Sequence, residues 1–132
     1  MKTLILKYFF LVLTSVVLVS CSKNEENVVP ENLIEGQWQL TKLVVNGEVT
    51  PLQCSTPWTY NFNEKSVKIT ISLPTVNNCD PGVIQYNYTL EDKVLTFTFA
   101  NIVTETNTIN KLTSQELVYT KNNGNVLYFS KK

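Results

Sequence analysis

Three thiols are the most reactive side chains in this sequence: Cys21, Cys54 and Cys79. No histidine accompanies them. That removes the commonest general base, the commonest metal ligand, and every Ser-His or Cys-His nucleophile. With Cys21 read separately, two cysteines alone do not make a zinc site. Asp80 and Asp92 are the only aspartates. Glu48, Glu91 and Glu105 are read at strand ends or on outward faces, where a carboxylate is merely solvated. There is no Gly-rich phosphate loop and no nucleophile motif. The expectation is a protein that is not an enzyme, with no catalytic residue, no metal and no cofactor.

The thiols separate by neighbourhood. Lys2 and Lys7 flank the start of an apolar run at 8–19, "YFFLVLTSVVLV". A bilayer needs about 20 such residues, so this run fits a signal-peptide core instead. Leu18, Val19, Ser20 and Cys21 follow. They resemble the bacterial lipobox, with Leu three before the Cys and a small residue just before it. The resemblance implies a signal peptide at 1–20, a thioether from Cys21 to diacylglycerol, and an acyl chain such as palmitate on the freed amine. Each buried CH₂ contributes about 0.8 kcal/mol, and two or more chains anchor stably. The implied partner is therefore a bacterial membrane. An ordinary signal peptide with a chance cysteine is the alternative. Residues 21–32 are polar, lack apolar repetition and read as a flexible tether. Within them "SKNEE" resembles export signals of surface lipoproteins, although Asn24 separates Lys23 from Glu25 and Glu26; a plain spacer is the other reading. The expected location is the cell envelope, on the outer membrane, with surface display if that signal operates.

Beyond residue 20 the chain holds nine Lys, no Arg and eleven carboxylates, a formal −2. Nucleic-acid binders show basic patches, so no nucleic-acid partner is expected. The sequence names no partner protein. Cys54 and Cys79 lie in turn-like surroundings, "TPLQCSTP" and "TVNNCDPG". An exported chain meets an oxidising compartment, and an even pair there suggests a disulfide. Two free buried thiols remain the alternative. "NYT" at Asn87 matches a glycosylation sequon, which bacterial export leaves idle.

The elements that must position these residues read as strands. Period-two alternation of β-branched and aromatic residues recurs. Strands are predicted at 37–45, 58–63, 66–73, 83–91, 94–100, 102–109, 115–121 and 126–130. Pro30 to Glu35 suits one helical turn. Leu43 and Val45 are out of phase with Trp38 and Leu40, which calls for a bulge near Lys42. Asn46-Gly47 is a hairpin dipeptide, and residues 74–82 are dense in turn formers. No amphipathic helix of ten residues or more is evident. Parallel strands need long crossovers, and the sequence leaves no room for them. The sheet is therefore antiparallel, and eight strands can close and remove their edges. A two-sheet sandwich is the rival.

"GQW" (Gly36, Gln37, Trp38) after a short turn resembles the G-x-W motif of lipocalins. The chain at 33–132 also resembles small lipocalin-like lipoproteins of Bacteroidetes, through "LIEGQWQLTKLVVNG", the mid-chain Cys pair and "INKLTSQELVYT". The resemblance implies an all-β, eight-stranded antiparallel up-and-down β-barrel. It implies that Gly36 and Trp38 close one end. In lipocalins an Arg stacks on that Trp; here Lys131 or Lys132 would have to replace it by cation–π contact. It also implies a small lipophilic ligand in the cup. The candidate ligand-binding residues are Trp58, Tyr60, Tyr86, Tyr88 and Phe97, since buried tyrosine hydroxyls need partners. The inward set is bulky: Tyr60, Phe62, Ile69, Ile71, Tyr86, Tyr88, Leu95, Phe97, Phe99, Leu117 and Tyr119. A barrel of this size either fills with side chains or holds one small ligand. A solid core is favoured over a cavity, and would make the protein an interaction, inhibitor or structural module.

Overall fold

The structure, a computed structural model, describes residues 33–132. The signal-peptide, Cys21 and tether readings lie outside the described residues. Nine strands run in order: β1 (Gly36–Val45), β2 (Glu48–Thr50), β3 (Thr59–Asn63), β4 (Ser66–Pro74), β5 (Cys79–Glu91), β6 (Val94–Phe99), β7 (Ile102–Leu112), β8 (Glu116–Lys121) and β9 (Val126–Lys131). Among the described residues there is no α-helix; only a short 3₁₀ turn at Leu33 precedes β1.

Every ladder is antiparallel, and all join sequence neighbours except β1 with β3 and the closing pair of β1 with β9. β9 returns to β1, from Trp38↔Lys131 to Val44↔Val126, and closes the ring. Eight strands form the barrel. β2, missed by the alternation because it is three residues long, pairs only with the far end of β1. The Asn46-Gly47 turn joins these two strands with φ of 52° and 84°. Both values suit the turn that matches strand twist. The bulge expected in β1 is present, as a register shift between Leu40 and Lys42. It swings Leu43 back against the core, alongside Trp38 and Leu40.

The turn-rich stretch 74–82 is shorter as a turn than predicted. β4 and β5 extend through it to Pro74↔Cys79. A long ladder protrudes there, and Thr75 and Asn78 close it with reciprocal bonds. The Cys54–Cys79 disulfide (Cα–Cα 5.9 Å) ties this hairpin to the loop before β3. A closed loop of 25 residues' separation stabilises by about 3–4 kcal/mol in the chain-entropy model.

One end of the barrel is shut. Trp38 is fully buried, and its indole Nε1 donates to Ile34 O at 2.7 Å. Lys131 Nζ sits 4.8 Å from the Trp38 ring centroid and donates to Leu33 O (3.2 Å) and Glu35 O (2.6 Å). The arginine-like role therefore falls to Lys131. Gly36 is required beside it. Its φ is +112°, and a Cβ there would lie 2.9 Å from Lys131 Cε. Above this plug, Phe62, Leu95, Phe97, Leu117, Tyr119 and Leu127 fill the interior. Phe99 is a correction to the inward set: it is 59% exposed. The β6 ladder ends there, beyond the wall of the ring, and the side chain reaches solvent. Leu73 is likewise exposed on the protruding β4–β5 ladder, whereas Ile84, 38% exposed, sits at the open end of the interior.

Candidate functional site

The opposite end is open. β1, β4, β6 and β8 finish there, β3, β5 and β7 start there, and residues of β3 to β8 converge on one cavity. It measures about 200 Å³ and is walled by Trp58, Tyr60, Ile69, Ile71, Ile84, Tyr86, Phe97, Thr104, Glu105 and Lys121. Four of the five candidate ligand-binding residues meet in it: Trp58, Tyr60, Tyr86 and Phe97. Each comes from a different place: the loop before β3, β3, β5 and β6. Tyr86 stacks on Phe97 (centroids 5.9 Å, 11° between planes) and meets Phe99 edge-on at 6.4 Å. Tyr88 does not join them. It lies one layer deeper, edge-on to Phe62 at 5.1 Å, and borders a groove at the closed end with Glu35, Glu64, Lys65 and Glu91.

Glu105 was expected on an outward face, and this is corrected. β7 carries an extra residue, Thr104, where the register slips from Phe97↔Glu105 to Thr98↔Val103. Thr104 Oγ1 donates to Phe97 O at 3.1 Å and fixes the bulge. Below it Glu105, Asn107 and Ile109 all point inward. Lys121 follows Leu117 and Tyr119 at period two on β8 and also points inward. The two charges meet: Lys121 Nζ lies 2.6 Å from Glu105 Oε2, with side chains 27% and 23% exposed. An unpaired charge in such a half-dry position would cost free energy, and pairing lowers that cost. Neither residue was a candidate from the sequence. The available signal was parity counted back from Ile109 and forward from Tyr119.

Polar atoms continue beneath the cavity floor. Tyr60 and Tyr119 hydroxyls interact. Burial, with the Glu105 charge adding to it, pushes the Tyr60 hydroxyl up to about 12. Burial chiefly, and then Tyr60, push Tyr119 well above the usual tyrosine range. The Tyr119 hydroxyl makes no hydrogen bond of ordinary geometry, nor does Asn107 Oδ1. Asn107 Nδ2 reaches Leu95 O at 3.4 Å. Both hydroxyls stay protonated at neutral pH and can donate. Beside the main cavity, across Trp58, lies a second hollow of about 170 Å³ under Leu52, Cys54 and Pro74. Trp58 is the shared wall, and the disulfide holds the loop that carries it. Among the described residues no group of His, Cys, Asp and Glu is placed to hold a metal ion.

Aromatic and branched walls offer apolar contact, and one charge pair offers a donor and an acceptor. A model of the lipocalin-like domain matches residues 34–119. No curated protein sequence matches the chain. A solved lipocalin-like protein from Bacteroides uniformis aligns with a TM-score of 0.60 at 15% identity, over 76% of this chain and 99% of its own. An uncharacterized protein from Bacteroides eggerthii aligns with a TM-score of 0.56, again at 15% identity, over 74% of this chain and 98% of its own.

Proposed function

Because the chain belongs to the lipocalin-like domain family, we propose that it is a binding protein of the bacterial envelope that holds a small lipophilic molecule in the barrel mouth. A lipidated Cys21 tethers it to the membrane. The observation that carries the binding reading is the distribution of packing. The barrel is solid from Trp38 up to Tyr119, then hollow where Trp58, Tyr86 and Phe97 face one another. The filled interior favoured by the inward residue list describes the lower layers. The cavity occupies the last one. Its volume of about 200 Å³ falls below the roughly 300–1,000 Å³ of drug-sized sites. The ligand is correspondingly small.

The test uses the two tryptophans. Trp58 lines the cavity, whereas Trp38 is sealed at the far end. In the full chain, compounds of one aromatic ring should shift the Trp58 indole N–H resonance and leave that of Trp38 in place. Tyr86→Trp, which fills the hollow, should abolish the shift. If acidic, basic and neutral compounds all leave Trp58 unmoved at millimolar concentration, the binding reading fails. The tether has its own check: Cys21→Ala should move the chain from the membrane to the soluble fraction.

A second reading draws on the hairpins flanking the mouth. Val76 is 98% exposed at the tip of the β4–β5 hairpin, and Val83 on the same hairpin and Phe99, Ile102 and Val103 on the β6–β7 hairpin are exposed as well. Exposed apolar residues on two hairpins beside the mouth suit contact with a partner. Crosslinking in envelope membranes through Val76 or Ile102 distinguishes the two: a specific adduct supports the interaction role.

A further inference from the structure

The charge pair in the cup constrains which ligands fit. Glu105 and Lys121 both sit at inward positions, 2.6 Å apart and each about one-quarter exposed. Their sum is zero. Around them stand only apolar or neutral side chains: Trp58, Tyr86, Phe97 and Ile84. An added carboxylate would face Glu105 at the distance from which it contacts Lys121, leaving two like charges in a partly desolvated space. An added ammonium meets the same conflict with Lys121. Either one leaves a charge imperfectly paired, which is the expensive outcome for a desolvated group. A neutral group that both donates and accepts escapes the conflict. An ammonium carries three donors and a carboxylate two acceptor oxygens. The pair can therefore give to such a group and take from it without separating.

We propose that the mouth cavity selects small aromatic or branched molecules carrying one uncharged head group that both donates and accepts hydrogen bonds, a primary amide or a hydroxyl, and rejects carboxylates and amines of the same shape. This rests on the binding reading above and narrows it. Fatty acids are excluded by their head group, and the size of the cavity independently excludes sterol- and haem-sized molecules.

Three probes with one body test it: 3-phenylpropanamide, 3-phenylpropanoate and 3-phenylpropylamine. They are titrated into the full chain in phosphatidylcholine nanodiscs, which avoid detergent monomers competing for the cup. The Trp58 indole resonance is followed, with Trp38 as the internal reference. The amide should bind at least tenfold more tightly than either charged probe. Glu105→Gln leaves Lys121 unpaired and should reverse the order in favour of the carboxylate. Lys121→Met should reverse it in favour of the amine. Equal affinity of the amide and the carboxylate for the unaltered chain overturns the proposal while leaving the cavity a binding site. So does an unchanged order in Glu105→Gln. If no probe moves Trp58, the binding reading and this proposal fall together. The comparison within the unaltered chain does not depend on either variant folding.

Discussion

The two ends of the barrel each set a lysine against an acceptor beside aromatic side chains, and they use it oppositely. At the closed end Lys131 lies over Trp38 and spends its protons on two backbone carbonyls, Leu33 O and Glu35 O. Those acceptors cannot titrate or move away. Gly36 presses so close that a single methyl group would collide with the lysine stem. At the open end Lys121 meets the side chain of Glu105, on a strand distorted by an extra residue. That partner is flexible and part-exposed, and it borders empty space. At the closed end the lysine's hydrogen bonds are spent on the backbone. The other keeps hydrogen-bonding capacity unspent.

The largest expected contrast comes from the two tryptophans. Trp38→Ala opens a cavity in a fully packed layer and deletes the Nε1 bond to Ile34 O. It should lower stability by about 3–5 kcal/mol. Trp58→Ala removes a half-buried wall between two hollows that already exist and should cost roughly 1 kcal/mol. Urea unfolding of each variant measures both. Equal losses would mean the mouth is as tightly packed as the plug.

A smaller contrast separates the lysines. Lys131→Met forfeits a cation–π contact and two charge-assisted bonds, about 1–2 kcal/mol together. Lys121→Met breaks a part-exposed ion pair, worth roughly 0–1 kcal/mol. The same two variants should rank in the reverse order for small-molecule binding, with only the second changing it. A Lys131→Met chain that keeps its full stability would show the plug to be held by Trp38 packing alone.

This division was partly legible beforehand. The plug was readable through the resemblance to lipocalins: Gly36 and Trp38 carry the motif, its Arg is missing, and a lysine stands at the end of the last strand to replace it. The barrel walls were readable wherever apolar residues alternate cleanly, as from Val67 to Ile71 and from Tyr86 to Leu90. The disulfide followed from compartment and parity of cysteines. The mouth resisted for a physical reason. In "IVTETNTI" nearly every residue is polar or β-branched, so alternation carries no contrast, and a bulge at Thr104 inverts the phase at the point where it matters. Glu105 thus read as a solvated carboxylate. Tyr88 was grouped with Tyr86 because they share a face. Depth along the barrel, which puts them in different layers, depends on strand register and not on parity.

The smallest effect at neutral pH becomes informative in alkali. The Tyr119 hydroxyl is buried without an ordinary hydrogen bond, so Tyr119→Phe removes a desolvated group and leaves only an atom-sized void. The two changes oppose each other, and stability at pH 7 should stay within about 1 kcal/mol of the parent. Above pH 10 the variant and its parent should part. An unfolded tyrosine ionises near 10, while burial holds the folded Tyr60 and Tyr119 hydroxyls protonated beyond that. The unfolded chain then binds fewer protons than the folded one, so stability falls as pH rises. For Tyr60 the fall runs from about 10 to about 12 and amounts to roughly 2–3 kcal/mol. Tyr119→Phe deletes its own share of that loss. Its unfolding midpoint should therefore exceed the parent's by a margin that grows from pH 10 upward, lysine titration being common to both and cancelling in the difference. Parallel profiles would mean that Tyr119 ionises as readily folded as unfolded. Water would then reach down past Tyr60, and the dry floor that makes the mouth a cup, and its charge pair a filter, would not exist.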